Sequence, residues 1–172
     1  AAFQRLVFPS DQKIINNWLL QFGLYGMETL GLLIKLNQAI SNQFRYQVRE
    51  EPGVQSPAQT LAQRSGSCRD YATLFIEACR CLGLAGRFVS GYLHAPETEA
   101  GNASTHAWAE IYLPGTGWKG FDPTSGVVTS SQHIAVAVAR DPEAVPPVSG
   151  SFTGLGDATP TMRVNVQVNL LA

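Results

Sequence analysis

Cys68 is the residue best placed to do chemistry in this chain. The run Ser67-Cys68-Arg69-Asp70 fits a helix start in which Ser67 caps and Asp70 answers it as reciprocal partner. Aligned peptide dipoles place about half a positive charge at a helix N-terminus, which favours thiolate over thiol. The same helix end leaves backbone N–H groups unpaired, so the amide of Cys68 is available to an oxyanion formed during acyl transfer. A thiolate needs a base that later returns a proton, and the chain offers three histidines, His94, His106 and His133. His106 is the strongest candidate, because it lies in an alternating segment with Trp108, Glu110 and Tyr112 on its own face. Asp122, in the next alternating segment, supplies the acceptor that would orient its ring. His94 borders a loop, and His133 reads as a surface or internally satisfied histidine.

Strand register makes this grouping testable. With an odd-numbered hairpin loop at Leu113 to Gly117, Tyr112 opposes Trp118 and Trp108 opposes Asp122. His106 and Asp122 then share a face as diagonal neighbours roughly 7 to 8 Å apart at the backbone, within side-chain reach. An even-numbered loop would put them on opposite faces.

The elements that must hold these residues follow from periodicity. Ile14, Ile15, Trp18, Leu19 and Phe22 recur at helical spacing, with Asp11 as the expected cap. A second helix is predicted from about Glu28 to Phe44 and a short helical turn from Ala58 to Arg64. The helix opened by Cys68 carries the stripe Ala72, Phe75, Cys79, Leu82, with Tyr71, Leu74, Ala78 and Cys81 beside it. Arg69, Thr73, Glu77 and Arg80 form a polar edge, and Gly83 ends the helix. A helix apolar over most of its circumference belongs at the centre of a fold, so Cys79 and Cys81 read as core thiols. Beyond Gly83 the pattern alternates, predicting strands at Arg87 to Leu93, Thr105 to Tyr112, Trp118 to Asp122, Ile134 to Ala139 and Met162 to Leu170. The Pro-, Gly- and Ser-rich stretch Arg140 to Pro160 reads as a surface loop. Helices first and strands second specify an α+β fold: N-terminal helices, including a central one bearing the cysteine, packed on a C-terminal antiparallel sheet.

Three blocks in this order carry a resemblance: Gly66-Ser67-Cys68-Arg69-Asp70-Tyr71-Ala72, then Thr105-His106-Ala107-Trp108-Ala109-Glu110, then Gly120-Phe121-Asp122-Pro123-Thr124. They resemble the catalytic blocks of the transglutaminase-like superfamily, particularly its microbial members of cysteine protease type. The likeness runs roughly from Gln38 to Gly150. It implies a papain-like core with Cys68 as nucleophile, His106 as base and acid, and Asp122 orienting the imidazole. It also implies a second oxyanion donor, for which Gln43, Tyr46 and Gln63 are the candidates. Many microbial members carry a β-rich N-terminal domain that this sequence lacks, which reads as an excised piece of a longer protein.

Composition narrows what remains. A length of 172 residues suits one domain, and 45% hydrophobic residues suit a packed core. A net charge of −1 without charge blocks gives no sign of a nucleic-acid partner, and no apolar run is long enough for a membrane span. Three cysteines fit neither a disulfide framework nor a paired metal motif, so no metal or cofactor is expected, and a free thiol points to the reducing cytoplasm. The expected activity is thiol-dependent acyl transfer at amide bonds of a peptide or protein substrate, most simply hydrolysis. Transglutaminase-type crosslinking and a non-catalytic binding module are the alternatives.

Overall fold

Where the apolar spacing is helical, the first half of the chain folds as helices. The computed structural model describes residues 1–23, 26–49, 51–94, 104–151, 153 and 166, and the expected strand at Met162 to Leu170 lies outside that set apart from Val166. Helix α1 (Gln12–Leu20) buries Ile15 and Leu19, and α2 (Thr29–Gln43) buries Leu32, Leu33, Leu36, Ala39 and Ile40. Helix α3 (Pro57–Gln63) is capped by Ser56 and Gln59, each side chain accepting from the other's backbone N–H. Asp11 does stand at the cap position of α1, yet its carboxylate is spent elsewhere: Oδ2 accepts from Ala58 N at 2.9 Å. The expected local cap is therefore a tie between α1 and the first turn of α3, where orphan N–H groups need acceptors.

Helix α4 (Cys68–Cys81) is the spine of the fold, its Tyr71, Ala72, Leu74, Phe75 and Ala78 all buried. Phe75 meets Phe121 of the sheet at 5.5 Å between ring centroids. Each such side chain stabilises by about 1.5–3 kcal/mol when removed from water. Gly83, at φ +81°, then turns the chain away.

The polar edge of α4 is not a solvated face. Thr73, Glu77 and Arg80 are all buried. Glu77 pairs with Arg80 at 2.6 Å and accepts from the backbone N–H groups of Val7 and Phe8. Arg80 also donates to the carbonyls of Phe3, Gly86 and Arg140. The N-terminal segment thus lies over this edge and satisfies its charges with main chain.

Among the described residues, seven strands complete the fold. A short parallel bridge joins β1 (Arg45–Tyr46) to β2 (Ser65–Gly66). The main sheet is antiparallel, in the order β6 (Val127–Val128), β5 (Gly117–Asp122), β4 (Ser104–Leu113), β3 (Gly86–Leu93), β7 (His133–Ala139). The sheet lays β3 and β4 against α4, giving the helix-on-sheet α+β architecture that the pattern change at Gly83 implied. At Gly91, beside a register shift between β3 and β7, an added Cβ would stand 2.1 Å from Ile134 O and 2.8 Å from Trp108 Cη2. Only glycine lets those strands close there.

Candidate active site

Cys68 occupies the first helical position of α4 and is 9% exposed. The turn that seats it is over-determined by Asp70, whose Oδ2 accepts from Ser67 N at 2.8 Å and Ser67 Oγ at 2.9 Å. Its Oδ1 accepts from Gln55 N at 2.7 Å and Arg49 Nη1 at 2.9 Å. Asp70 is a structural carboxylate, as the capping pattern implied. Gly66 is required for this turn, because a Cβ there would come within 2.9 Å of Asp70 Cβ.

Register brings the other two expected residues together. The β4–β5 ladder pairs Tyr112 with Trp118 and Ala109 with Phe121, so the turn is odd-numbered and His106 and Asp122 share a face. His106 Nε2 lies 2.9 Å from Asp122 Oδ2, and both side chains are buried. The bond at Nε2 leaves Nδ1 for the thiol. Burial pulls the His106 pKa down, but hydrogen bonding to Asp122, interaction with the Cys68 sulfur and the charge of both overcome it, and the pKa is raised to about 9. Burial disfavours the Asp122 carboxylate, yet bonds from His106, His133 and Ser125 and the charge of His106 hold it far below the usual carboxylate range. The remaining carboxylate oxygen, Oδ1, accepts from Thr124 N at 2.9 Å.

One residue joins the site that the pattern did not assign to it, and one of the three expected oxyanion candidates stands there too. His133, read as surface or satisfied, is a satisfied histidine, but it is satisfied by Asp122, with Nε2 at 3.3 Å from Oδ2 and its side chain 4% exposed. Tyr46 is that candidate. Its ring packs edge-on against Tyr71, one helical turn past Cys68, with centroids 6.3 Å apart. Burial raises the Tyr46 phenol pKa, and the charge and side-chain interaction of Cys68 raise it further. Of the other oxyanion candidates, Gln63 accepts from Gln55 Nε2 and Gln43 ends α2 exposed.

The other two thiols are chemically distinct. Burial pushes the Cys79 thiol pKa up, and Cys81 rises to about 11 through burial and the charge of Glu77. His106, Asp122 and His133 present donor atoms within 4.8 Å of one another, a spacing a cation could use. Here those atoms are already one another's hydrogen-bond partners. Beside Ser67 a cavity of about 350 Å³ is lined by Arg49, Glu51, Arg69, Glu143 and Pro146 among others.

A family model described as the transglutaminase-like superfamily matches residues 27–123, over half of the chain and a span that holds Cys68, His106 and Asp122. The chain belongs to this superfamily. Among relatives, a Mycobacterium leprae protein is 37% identical over 122 residues, which is 68% of this chain and 42% of that protein. A Mycobacterium tuberculosis protein is 37% identical over 101 residues, 54% of this chain and 32% of that one. This chain therefore spans less than half the length of either relative. Among solved structures, a "putative cysteine protease" from Cytophaga hutchinsonii is similar with a TM-score of 0.66 and 26% identity, over 81% of this chain and 46% of that chain. The periplasmic domain of TgpA from Pseudomonas aeruginosa shares the fold, with a TM-score of 0.54 and 24% identity over 72% of this chain and 46% of that one. Within this superfamily fold, the N-terminus of α4 and the β4–β5 hairpin meet at the three residues the ordered blocks singled out.

Proposed function

We propose that this chain is a thiol-dependent acyl-transfer enzyme acting on amide bonds, with water as the usual acceptor: a cysteine peptidase or amidase. One observation carries the reading. The ring of His106 is fixed by a 2.9 Å bond to Asp122 and interacts with the sulfur of Cys68 at a helix N-terminus. An imidazolium with a pKa of about 9 is the counter-ion a nucleophilic thiolate requires.

The steps follow from the placement. The Cys68 sulfur attacks the amide carbon, a C–S bond forms, and the carbonyl π electrons move to oxygen. The N–H of Cys68, with no intrahelical partner, and the Tyr46 hydroxyl donate to that oxyanion. His106 gives its proton to the nitrogen as the C–N bond breaks, leaving a thioester. Neutral His106 then takes a proton from water, which attacks the thioester; the acid departs and the thiolate–imidazolium pair is restored. Asp122 stays ionised throughout and holds the ring by Nε2. Polar and charged residues line the adjoining cavity, surroundings that suit water as acceptor better than a dry tunnel reserved for an amine.

The test has two parts. Iodoacetamide at pH 7 should place one adduct on Cys68 and leave Cys79 and Cys81 unmodified, since burial disfavours both of their thiolates. A peptide library incubated with the protein, with and without a primary amine, should give carboxylic acid products by mass spectrometry. Amine-linked products as the majority would make the chain a transglutaminase-type enzyme, and equal labelling of all three thiols would leave a binding module.

A further inference from the structure

Three donors converge on one oxygen atom. Asp122 Oδ2 lies 2.9 Å from His106 Nε2 and 3.3 Å from His133 Nε2, and it accepts from Ser125 Oγ at 2.7 Å. The proposed reaction uses the first of these contacts and leaves the second unexplained. His133 is nonetheless held as firmly as any residue in the site. It opens β7, its backbone N–H donates to Ser130 O at 3.0 Å, and its ring stands edge-on to Trp108 with centroids 5.3 Å apart.

The tautomer of His133 is fixed by its surroundings. Ser130 N donates to His133 Nδ1 at 3.2 Å, so Nδ1 is an acceptor and carries no proton. The ring proton of the neutral form is then on Nε2 and points at Asp122. Among the described residues, the charged and titratable groups facing the ring are Asp122 from β5 and His106 from β4. Nothing in this arrangement places His133 at the sulfur; it reaches the reaction only through the carboxylate.

We infer that His133 is a positioning residue: a neutral Nε2–H donor that fixes Asp122 Oδ2 toward His106 and moderates the pull of that carboxylate on the His106 proton. This rests on the thiol-enzyme reading above. An acceptor oxygen shared between two ring donors gives the effect a definite sign. The positive end of the His133 N–H dipole lies beside Oδ2 and lowers the negative potential His106 feels. Removing it should therefore tighten the His106–Asp122 pair and raise the pH at which His106 loses its proton.

The experiment is the pH profile of Cys68 alkylation by iodoacetate, whose negative charge makes the reaction favour an adjacent imidazolium. In the full 172-residue chain the rate should fall as pH rises through about 9, the His106 value. His133→Leu removes the donor and should move that falling limb up by on the order of half to one pH unit, the equivalent of one ordinary hydrogen bond. His133→Gln, which can present an N–H at the same reach, should return the limb to within about a quarter of a unit of wild type. A limb that stays in place or moves down in the leucine variant overturns the inference. Should the leucine variant fail to fold, long-range ¹H–¹⁵N spectra of the wild-type rings decide instead: at pH 8 His133 should show the Nε2–H tautomer, and an Nδ1–H tautomer refutes the proposal. A wild-type profile with no falling limb would instead overturn the thiol-enzyme reading, while the tautomer still decides the role of His133.

Discussion

Replacing Asp122 by asparagine removes the charge that keeps the His106 ring protonated. In the folded protein that ring has a pKa raised to about 9 against an ordinary 6.5, a difference worth roughly 3 kcal/mol. Burial acts downward while the Cys68 sulfur still acts upward, so in the asparagine variant the value should fall by on the order of 1–2 units. At pH 8.5 the imidazolium population then drops from about 76% to between about 24% and 3%, and iodoacetate alkylation of Cys68 should slow by about threefold to 25-fold. Rates are read by mass spectrometry of the Cys68 peptide between pH 5 and 10, where the falling limb should move down from about 9 by on the order of 1–2 units. Stability shares this sign. A group whose folded pKa is raised contributes fully below its unfolded pKa and loses that contribution as pH rises through the folded value. Wild-type protein should therefore lose on the order of 3 kcal/mol between pH 6.5 and 9, roughly 7–13 °C in Tm for a chain of this size, and the variant should show a much flatter profile. An alkylation limb that remains near 9 in Asp122→Asn would refute the ion-pair reasoning.

Other consequences are equally open to measurement. Glu77→Ala strands the buried Arg80 guanidinium and the N–H groups of Val7 and Phe8, so urea titration should show a loss of about 3–5 kcal/mol; a loss under about 1 kcal/mol would contradict the observed pairing. Tyr46→Phe should cut peptide turnover by roughly 10²-fold while slowing iodoacetate alkylation, which forms no oxyanion, by less than about threefold. Gly91→Ala drives a Cβ into Ile134 O and Trp108, and thermal melts should register a destabilisation of about 1–3 kcal/mol.

Much of the site was legible because its determinants are local. The capping pattern at Ser67 to Asp70 set Cys68 at a helix start, and hairpin parity put His106 and Asp122 on one face; both needed only short-range rules. His133 was not assigned to the site for a different reason. It sits 11 residues beyond Asp122, across β6 and a turn, and its strand pairs with β3 rather than with its sequence neighbour β5. Periodicity finds such a strand but not the side chain its first residue meets. Tyr46 lies in a two-residue bridge, too short to show any period. The burial of the polar edge of α4 was not legible because its cover comes from the first eight residues and from Arg140, far away in sequence. Likewise, Asp11 was given the nearest helix to cap, when the acceptor was needed by a helix 47 positions on.

The first turn of α4 also acts as an anchor for both banks of the cleft beside it. Asp70 grips the stretch from Arg49 to Gln55, and its neighbour Arg69 grips the carbonyls of Pro142 and Val145 on the other side. The two banks are thus moored to consecutive residues immediately after the sulfur. The tips differ: Gly53, at φ +80° with its neighbour Val54 N bonded across to Glu143 Oε1 at 2.9 Å, is held, whereas the tip around Pro147 is exposed. Under the proposed reaction, substrate preference would be changed at the Pro147 tip without retuning Cys68, provided Arg49, Gln55 and Arg69 are kept.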